Sequence, residues 1–251
     1  MPPTLADLHA AIVASPEDDA PRLAYADAIE SQDPIRAQFI RLQIDLARCR
    51  RDNVPPPTPS SYMDEGNLIR THGDSWAQDL QDLIPWRVYI RGFVEWVKFD
   101  AQHFLDIAPE LYRRAPILHL ELQNAKPVAE ALFASPHLAR IVSINLWKND
   151  LEDAEAQIIA RSPHLKRLAW LDLGNNKIGG AGFESLAAST SIPRLEYLGF
   201  TYNTLENPCP KFADDYDTTS LLATQLMAKY GHREWLDAHS RSIWPPHRHL
   251  V

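Results

Sequence analysis

Apolar residues recur along the chain in two rhythms, and the change of rhythm divides it. From residue 4 to residue 50 the spacing is helical. Leu5, Leu8, Ile12 and Val13 share one stripe, Leu23, Ala24, Ala28 and Ile29 a second, and Phe39, Leu42 and Leu46 a third. Thr4 followed by Asp7 reads as an N-terminal cap, and the first helix stops before Pro16. Asp19 with Pro21, and Asp33 with Pro34, start the next two helices. The run Asn53-Val54-Pro55-Pro56-Pro57-Thr58-Pro59-Ser60-Ser61 supports neither a helix nor a central strand and predicts a stiff extended linker. Helical spacing returns over residues 63–84 through Leu68, Ile69, Trp76, Leu80 and Leu83, and ends at Pro85.

Beyond residue 90 the chain repeats itself. Ser135-Pro136-His137-Leu138 leads into Ile144-x-Leu146-x-x-Asn149-x-Leu151, and Ser162-Pro163-His164-Leu165 leads in the same way into Leu171-x-Leu173-x-x-Asn176-x-Ile178. A third copy follows with Leu198-x-Phe200-x-x-Asn203-x-Leu205, and the step from Leu171 to Leu198 equals that from Ile144 to Leu171. A fixed period with this internal pattern is the signature of a leucine-rich repeat. Val94-x-x-Val97-x-Phe99 and Ile117-x-x-Leu120-x-Leu122 follow the same skeleton, so the first buried strand positions are Val97, Leu120, Ile144, Leu171 and Leu198. Five parallel strands are expected, with outer helices over 104–112, 128–133, 154–160 and 183–188. After Asn207 the pattern breaks at Pro208-Cys209-Pro210, an acidic stretch runs from Asp214 to Asp217, and a helix over 220–229 is expected to cover the apolar end of the array.

The expected fold is therefore α/β: a leucine-rich repeat solenoid arc with an N-terminal helical domain and a C-terminal helical cap. Its predicted segments are 1–50 (helical domain), 51–90 (Pro-rich linker and connecting helices), 91–206 (repeats) and 207–251 (cap and tail).

The first segment also resembles a known family. Ala14-Ser15-Pro16-Glu17-Asp18-Asp19-Ala20-Pro21-Arg22-Leu23-Ala24-Tyr25-Ala26-Asp27, followed by Asp33-Pro34 and Arg36-Ala37-Gln38-Phe39-Ile40-Arg41-Leu42-Gln43, is similar to the bacterial repeat-companion domain. That module precedes leucine-rich repeats in large paralogous families of myxobacteria and planctomycetes. Ala28-Ile29 stands where many relatives carry Trp-Leu, and no glycine precedes Asp33, which suggests a lighter core. The resemblance implies a bacterial repeat-bearing protein and no established activity.

Each repeat asparagine is expected to turn inward and bond backbone groups of the adjoining turns. Ala125 holds the equivalent place in the preceding copy, so an irregularity is expected there. Between the buried leucines, alternation sends the other side chains to the concave face. Trp96, His119, Ser143, Trp170 and Tyr197 form a first row, Lys98, Glu121, Asn145, Asp172 and Gly199 a second, and Asp100, Gln123, Trp147, Gly174 and Thr201 a third. Three of the seven tryptophans fall on this face, where large rings favour a partner. The candidate protein-binding residues are Trp96, His119, Glu121, Asn145, Trp147, Trp170, Asp172 and Tyr197. Glu121 and Asp172 beside the rings would suit a cationic group, and Gly174 and Gly199 would leave a shallow pocket near the last strands.

Charge and motif content narrow the functions. A net charge of −8 argues against nucleic acid as partner. The basic group Arg41, Arg48, Arg50 and Arg51 shares its helix with Asp45 and Asp52 and reads as a solvated face. Crowded carboxylates at Glu17, Asp18, Asp19 and Asp27 are explained by capping at Asp19 and by pairing of Asp27 with Arg22 or a backbone donor. Cys49 and Cys209 read as free thiols in a reducing compartment. Residues 1–7 carry no basic or apolar leader pattern, no apolar run is long enough to span a bilayer, and a cytoplasmic location is expected. No catalytic, phosphate-binding, dinucleotide or metal motif appears, and His232, His239, His247 and His249 make at most a non-specific metal site.

The function expected is a non-catalytic protein-binding scaffold, without cofactor or metal, whose partner is a protein or peptide that no motif names. One alternative is that the helical domain or the tail folds over the aromatic face. Another is an enzyme, or an essential subunit of one, with His119, Glu121 and Asp172 as acid–base groups at the junction of helical domain and repeats. A third is a structural paralogue with no fixed partner.

Overall fold

A computed structural model of the chain describes residues 2–200, 202–204, 221–232 and 235. Cys209, the acidic stretch from Asp214 and the histidine-bearing tail lie outside them, as does Thr201. Among the described residues the fold is mixed α/β, with nine α-helices and a six-stranded, mostly parallel sheet whose strands follow chain order. The chain divides into two units, residues up to Lys98 with Ile107–Leu118, and Phe99–Asp106 with His119 onward.

In the first unit the three predicted helices form as α1 (Leu5–Ala14), α2 (Ala20–Ile29) and α3 (Pro34–Asp52). Thr4 and Asp7 close a reciprocal capping box on α1. Asp33 accepts from the Arg36 N–H at the start of α3, and Asn53, with φ 52°, ends it in the left-handed conformation. Asp19 makes no cap bond; the carboxylate of Asp18 accepts from the Ala20 N–H instead. The inward face of α2 also differs from the predicted stripe. Arg22, Ala26 and Ile29 are buried, while Ala24 and Ala28 are not. A charged residue occupies the core position because it has a partner there.

That partner is Glu95, far along the chain. Arg22 Nη2 and Glu95 Oε1 lie 2.9 Å apart with both side chains fully buried. The pair is extended by hydrogen bonds: Arg22 donates to the Pro16 carbonyl at 2.7 Å and the Arg91 carbonyl at 3.1 Å, and Arg91 donates to Glu95 at 2.9 Å. Burial pulls the Arg22 guanidinium down to about 10 against the opposing pull of Glu95. Burial likewise pushes the Glu95 carboxyl up, with Arg22 and Arg91 resisting. Asp27 pairs with Arg41, not with Arg22.

After α4 (Ser61–Trp76) comes a hairpin whose second strand falls where the first repeat strand was expected at Val97; its first strand lies in the segment expected as linker and connecting helices, and the pairing is antiparallel, not parallel. Strands β1 (Arg87–Ile90) and β2 (Phe93–Asp100) run antiparallel, joined by Arg91 and Gly92 at φ 50° and 87°. Two left-handed residues make the turn whose twist suits adjacent strands. Gly92 is required twice over, since a Cβ there would come within 2.6 Å of Ile40 Cγ1. Its N–H donates to Gln43 Oε1, and Gln43 Nε2 donates to Glu65 and to the Tyr89 carbonyl, which ties the hairpin to α3. Helix α5 (Ala101–Arg114) follows β2.

In the second unit strands and helices alternate: β3 (His119–Gln123), α6 (Ala129–Phe133), β4 (Ser143–Asn145), α7 (Asp153–Arg161), β5 (Trp170–Asp172), α8 (Gly180–Ala188) and β6 (Tyr197–Gly199). β3 to β6 pair in parallel, with Leu120, Ile144, Leu171 and Leu198 in one register line, all buried. Helix α9 (Leu221–Tyr230) lies on α8, where Lys229 and Tyr230 both meet Glu184.

Two ladders of polar side chains bind successive copies. Asn176 accepts from the Asn149 and Leu151 N–H groups and donates to the carbonyls of Leu146, Leu173 and Gly174. Asn149 and Asn203 do the same one copy away on either side, bonding Ala125, Leu122 and Trp147, and Ile178, Leu173 and Phe200. The residue before each ladder position is left-handed: Lys148 at φ 58°, Asn175 at 53° and Tyr202 at 60°. Asn124, before Ala125, has φ 53°, so the turn keeps its shape in the copy without the asparagine. There the Ala125 N–H is taken up by Asn149 of the next copy. At the other end Ser162 donates to the Phe133 carbonyl and Ser189 to the Ala160 carbonyl, both at 2.6 Å. Ser189 continues the series of Ser135 and Ser162 at the same step, without the Pro-His that marks the earlier copies.

Two outcomes test these constraints. Asn176→Ala leaves two buried N–H groups without an acceptor and is expected to cost about 3 kcal/mol in urea denaturation; a loss below about 1 kcal/mol would mean that water replaces the amide. Glu95→Leu is expected to cost about 4 kcal/mol, and Arg22→Met/Glu95→Leu to recover most of it. A double variant as unstable as the single one would show that shape, not charge, holds the site.

Candidate binding face

The parallel register carries side-chain alternation from strand to strand. His119, Ser143, Trp170 and Tyr197 stand in one line, and Glu121, Asn145, Asp172 and Gly199 in the next, as their spacing predicts. Trp96 and Lys98 belong to β2 in the first unit. There the half-buried Trp96 meets Trp86 edge-on, with centroids 5.3 Å apart.

The first row is closed upon itself. His119 Nδ1 lies 2.8 Å from Ser143 Oγ, and Trp170 stacks on Tyr197 at 5.2 Å with their planes 6° apart. His119 is 2% exposed and Trp170 7%, so the expected display of this row fails at both. A strand spacing near 4.8 Å lets flat rings on adjacent strands stack, and stacking removes them from water. Tyr197 stays half-buried.

The second row shapes the turns beyond the strands. Asn145 accepts from the Trp147 N–H at 2.8 Å, and Asp172, one copy on, accepts from the Gly174 N–H at 2.7 Å. Both are side chains bonding their own backbone two residues ahead. The depth expected at Gly174 and Gly199 is filled. A Cβ on Gly174 would come within 2.3 Å of the Trp147 ring, and one on Gly199 within 2.5 Å of Asp172 Oδ1. Trp147 and Asp172 therefore lie across these glycines where a pocket was expected.

What faces water is the edge of that cover. Trp147 is 40% exposed, and Tyr202, 73% exposed, meets it edge-on at 6.0 Å and 89°. Sequence reasoning missed Tyr202. Its signal was a conflict: an aromatic residue at the left-handed position that holds Lys148 and Asn175 in the earlier copies.

The three acid–base candidates have separate settings. His119 is engaged by Ser143 and Asp172 by the Gly174 amide. Glu121 and Asp172 are two strands apart, roughly 10 Å at sheet spacing, beyond the reach of one hydrogen bond. Elsewhere, Arg41, Arg48, Arg50 and Arg51 each hold a carboxylate: Asp27 and Glu30, Asp19, Glu65 and Asp52. Among the described residues no group of three or more His, Cys, Asp or Glu is arranged to hold a metal ion, and no helix is long and apolar enough to cross a membrane.

Gly174→Ala is expected to push the Trp147 ring aside. Its indole N–H resonance should move while stability changes by about 1 kcal/mol or less. An unmoved resonance would mean that the backbone, not the ring, yields.

Comparison of the chain with protein-family models, with curated proteins and with solved structures finds no match to any of them.

Proposed function

We propose that the second unit is a leucine-rich repeat array in which the face carrying the exposed ring pair binds a protein or peptide. The first unit would be its repeat-companion domain, and the chain a non-catalytic scaffold. The asparagine ladder supports the repeat reading, because it recurs at the sequence period and performs the same bonding in successive copies. The observation that carries the binding reading is the Trp147–Tyr202 pair, two large rings held edge-on in water in the same unit where Trp170 is stacked away on Tyr197.

An exposed aromatic pair has no value to the fold that burial would not improve, whereas each ring brings on the order of 150–250 Å² of contact to a partner. Half-buried Glu121 and Asp172 stand on the neighbouring row. Their carboxylates select a partner segment that places Lys or Arg against the rings. The rigid ladder beneath holds Trp147 in place without a partner, which lowers the ordering cost of binding.

The test is affinity capture with the full chain and with Trp147→Ala/Tyr202→Ala, both checked for melting temperature. The double variant is expected to lose about tenfold or more of the specifically captured protein, as hot-spot rings do, with the melting point within about 2 °C of the parent. An identical set of captured proteins, or a fall beyond about 5 °C, would contradict the reading.

A further inference from the structure

Among the described residues, Arg36 is buried without the ion-pair partner that a buried charge requires. It sits in the first turn of α3 and is 8% exposed. Among the described residues its guanidinium closes no ion pair, and Nη1 is buried with no hydrogen-bond acceptor. Arg22 in the same unit differs in having an ion pair: its Nη atoms meet Glu95 and three carbonyls, although its Nε, like the Arg36 Nη1, is buried without an acceptor. Around the Arg36 guanidinium the described residues place rings. Its guanidinium carbon lies 4.6 Å from the centre of Trp76, 5.3 Å from Phe93, and 5.5 Å from Phe39 and Tyr89.

Ring faces attract a cation, but they do not replace the oxygen acceptors its N–H groups lose on burial. Two carboxylates act on it from a distance without pairing. Asp33 already receives the Arg36 backbone N–H, and Asp79 is exposed to water. Burial lowers Arg36 to about 10, which leaves it charged at neutral pH. The fold therefore maintains an unpaired cation at a position where a methionine would pack more cheaply.

Arg36 lines a cavity of about 360 Å³, whose walls also include Trp76, Tyr89 and Phe93, the ring of His9 and the two carboxylates Asp33 and Asp79. That is the lower end of the size of small-molecule sites, which combine apolar walls with a few polar groups. All of its walls belong to the first unit. Burial holds His9 below its ordinary pKa, so its ring is neutral near pH 7 and adds no second cation. The other lining arginine, Arg114, is committed to Glu110 and Asp82.

We propose that this cavity binds a small organic carboxylate with an aromatic or aliphatic body. The ligand's two oxygens accept from the N–H groups that the Arg36 guanidinium turns to the cavity, in the fork geometry that suits its planar group. Its body lies against Trp76, Tyr89 and Phe93. The site is distinct from the ring pair of the second unit, and neither reading depends on the other.

Phenylacetate and its uncharged isostere phenylacetamide are suitable probes for calorimetric titration of the full chain. Phenylacetate is expected to bind saturably and the amide at least about tenfold more weakly, the loss of one charge-assisted pair. Arg36→Met is expected to lose phenylacetate binding while melting at or above the parent temperature, because it removes an uncompensated buried charge. That combination, tighter fold and lost ligand, is one a merely structural arginine would not produce. If Arg36→Met fails to fold, Arg36→Lys keeps the charge without the fork and should weaken binding. The comparison of acid with amide decides the matter in the parent chain alone. No saturable binding of phenylacetate up to about 10 mM, equal affinity for the amide, or full affinity in Arg36→Met would overturn the proposal.

Discussion

Every tight turn after a strand in the second unit brings backbone N–H and C=O groups into a dry interior, and each must find a partner there. Asparagine answers this constraint because one side chain both accepts and donates. Asn149, Asn176 and Asn203 each bond backbone within their own copy and backbone of a neighbour. Strand register, the left-handed residue before each asparagine and the placement of Trp147 all follow from that bonding. The ring pair is exposed because the turn beneath it is rigid: Asn145 fixes the Trp147 N–H and Asn149 the Trp147 carbonyl.

The first unit solves a different problem, the burial of charge. Arg22 meets it with Glu95 opposite and the Pro16, Ile90 and Arg91 carbonyls around its Nη atoms, while its Nε is left without an acceptor. Such a network is costly to break and weak evidence for stability by itself. It does link α2 to β2, two elements far apart in sequence. Arg36 lines a cavity and, among the described residues, has no ion pair at all; that difference is what sets it apart from Arg22.

Much of this was legible in the sequence wherever a period encodes it. The in-register rows from His119 to Tyr197, the inward asparagines and the helices between strands all follow from a pattern of residues that recurs along the chain. The hairpin was not read, although Arg91-Gly92 between Val88-x-Ile90 and Phe93-Val94 is a turn signal; Pro85 marks the end of a helix and hides the strand that follows. The Arg22–Glu95 pair was beyond local reasoning, because Asp27 is near in sequence and Glu95 is not. Alternation told which side chains share a face but not whether they cover one another. For that reason the stacking of Trp170 on Tyr197 and the seating of Trp147 over Gly174 were invisible, and Tyr202 stood out only as a turn residue.

Amide hydrogen exchange tests the ladder most directly. The N–H groups of Ala125, Asn149, Leu151 and Ile178 belong to loops, where exchange is ordinarily fast. If side-chain amides hold them, they will exchange as slowly as Leu120, Ile144 and Leu171 at the strand centres and will open together with them. Exchange of these four at the rate of free loop amides, while the strands remain protected, would contradict the account.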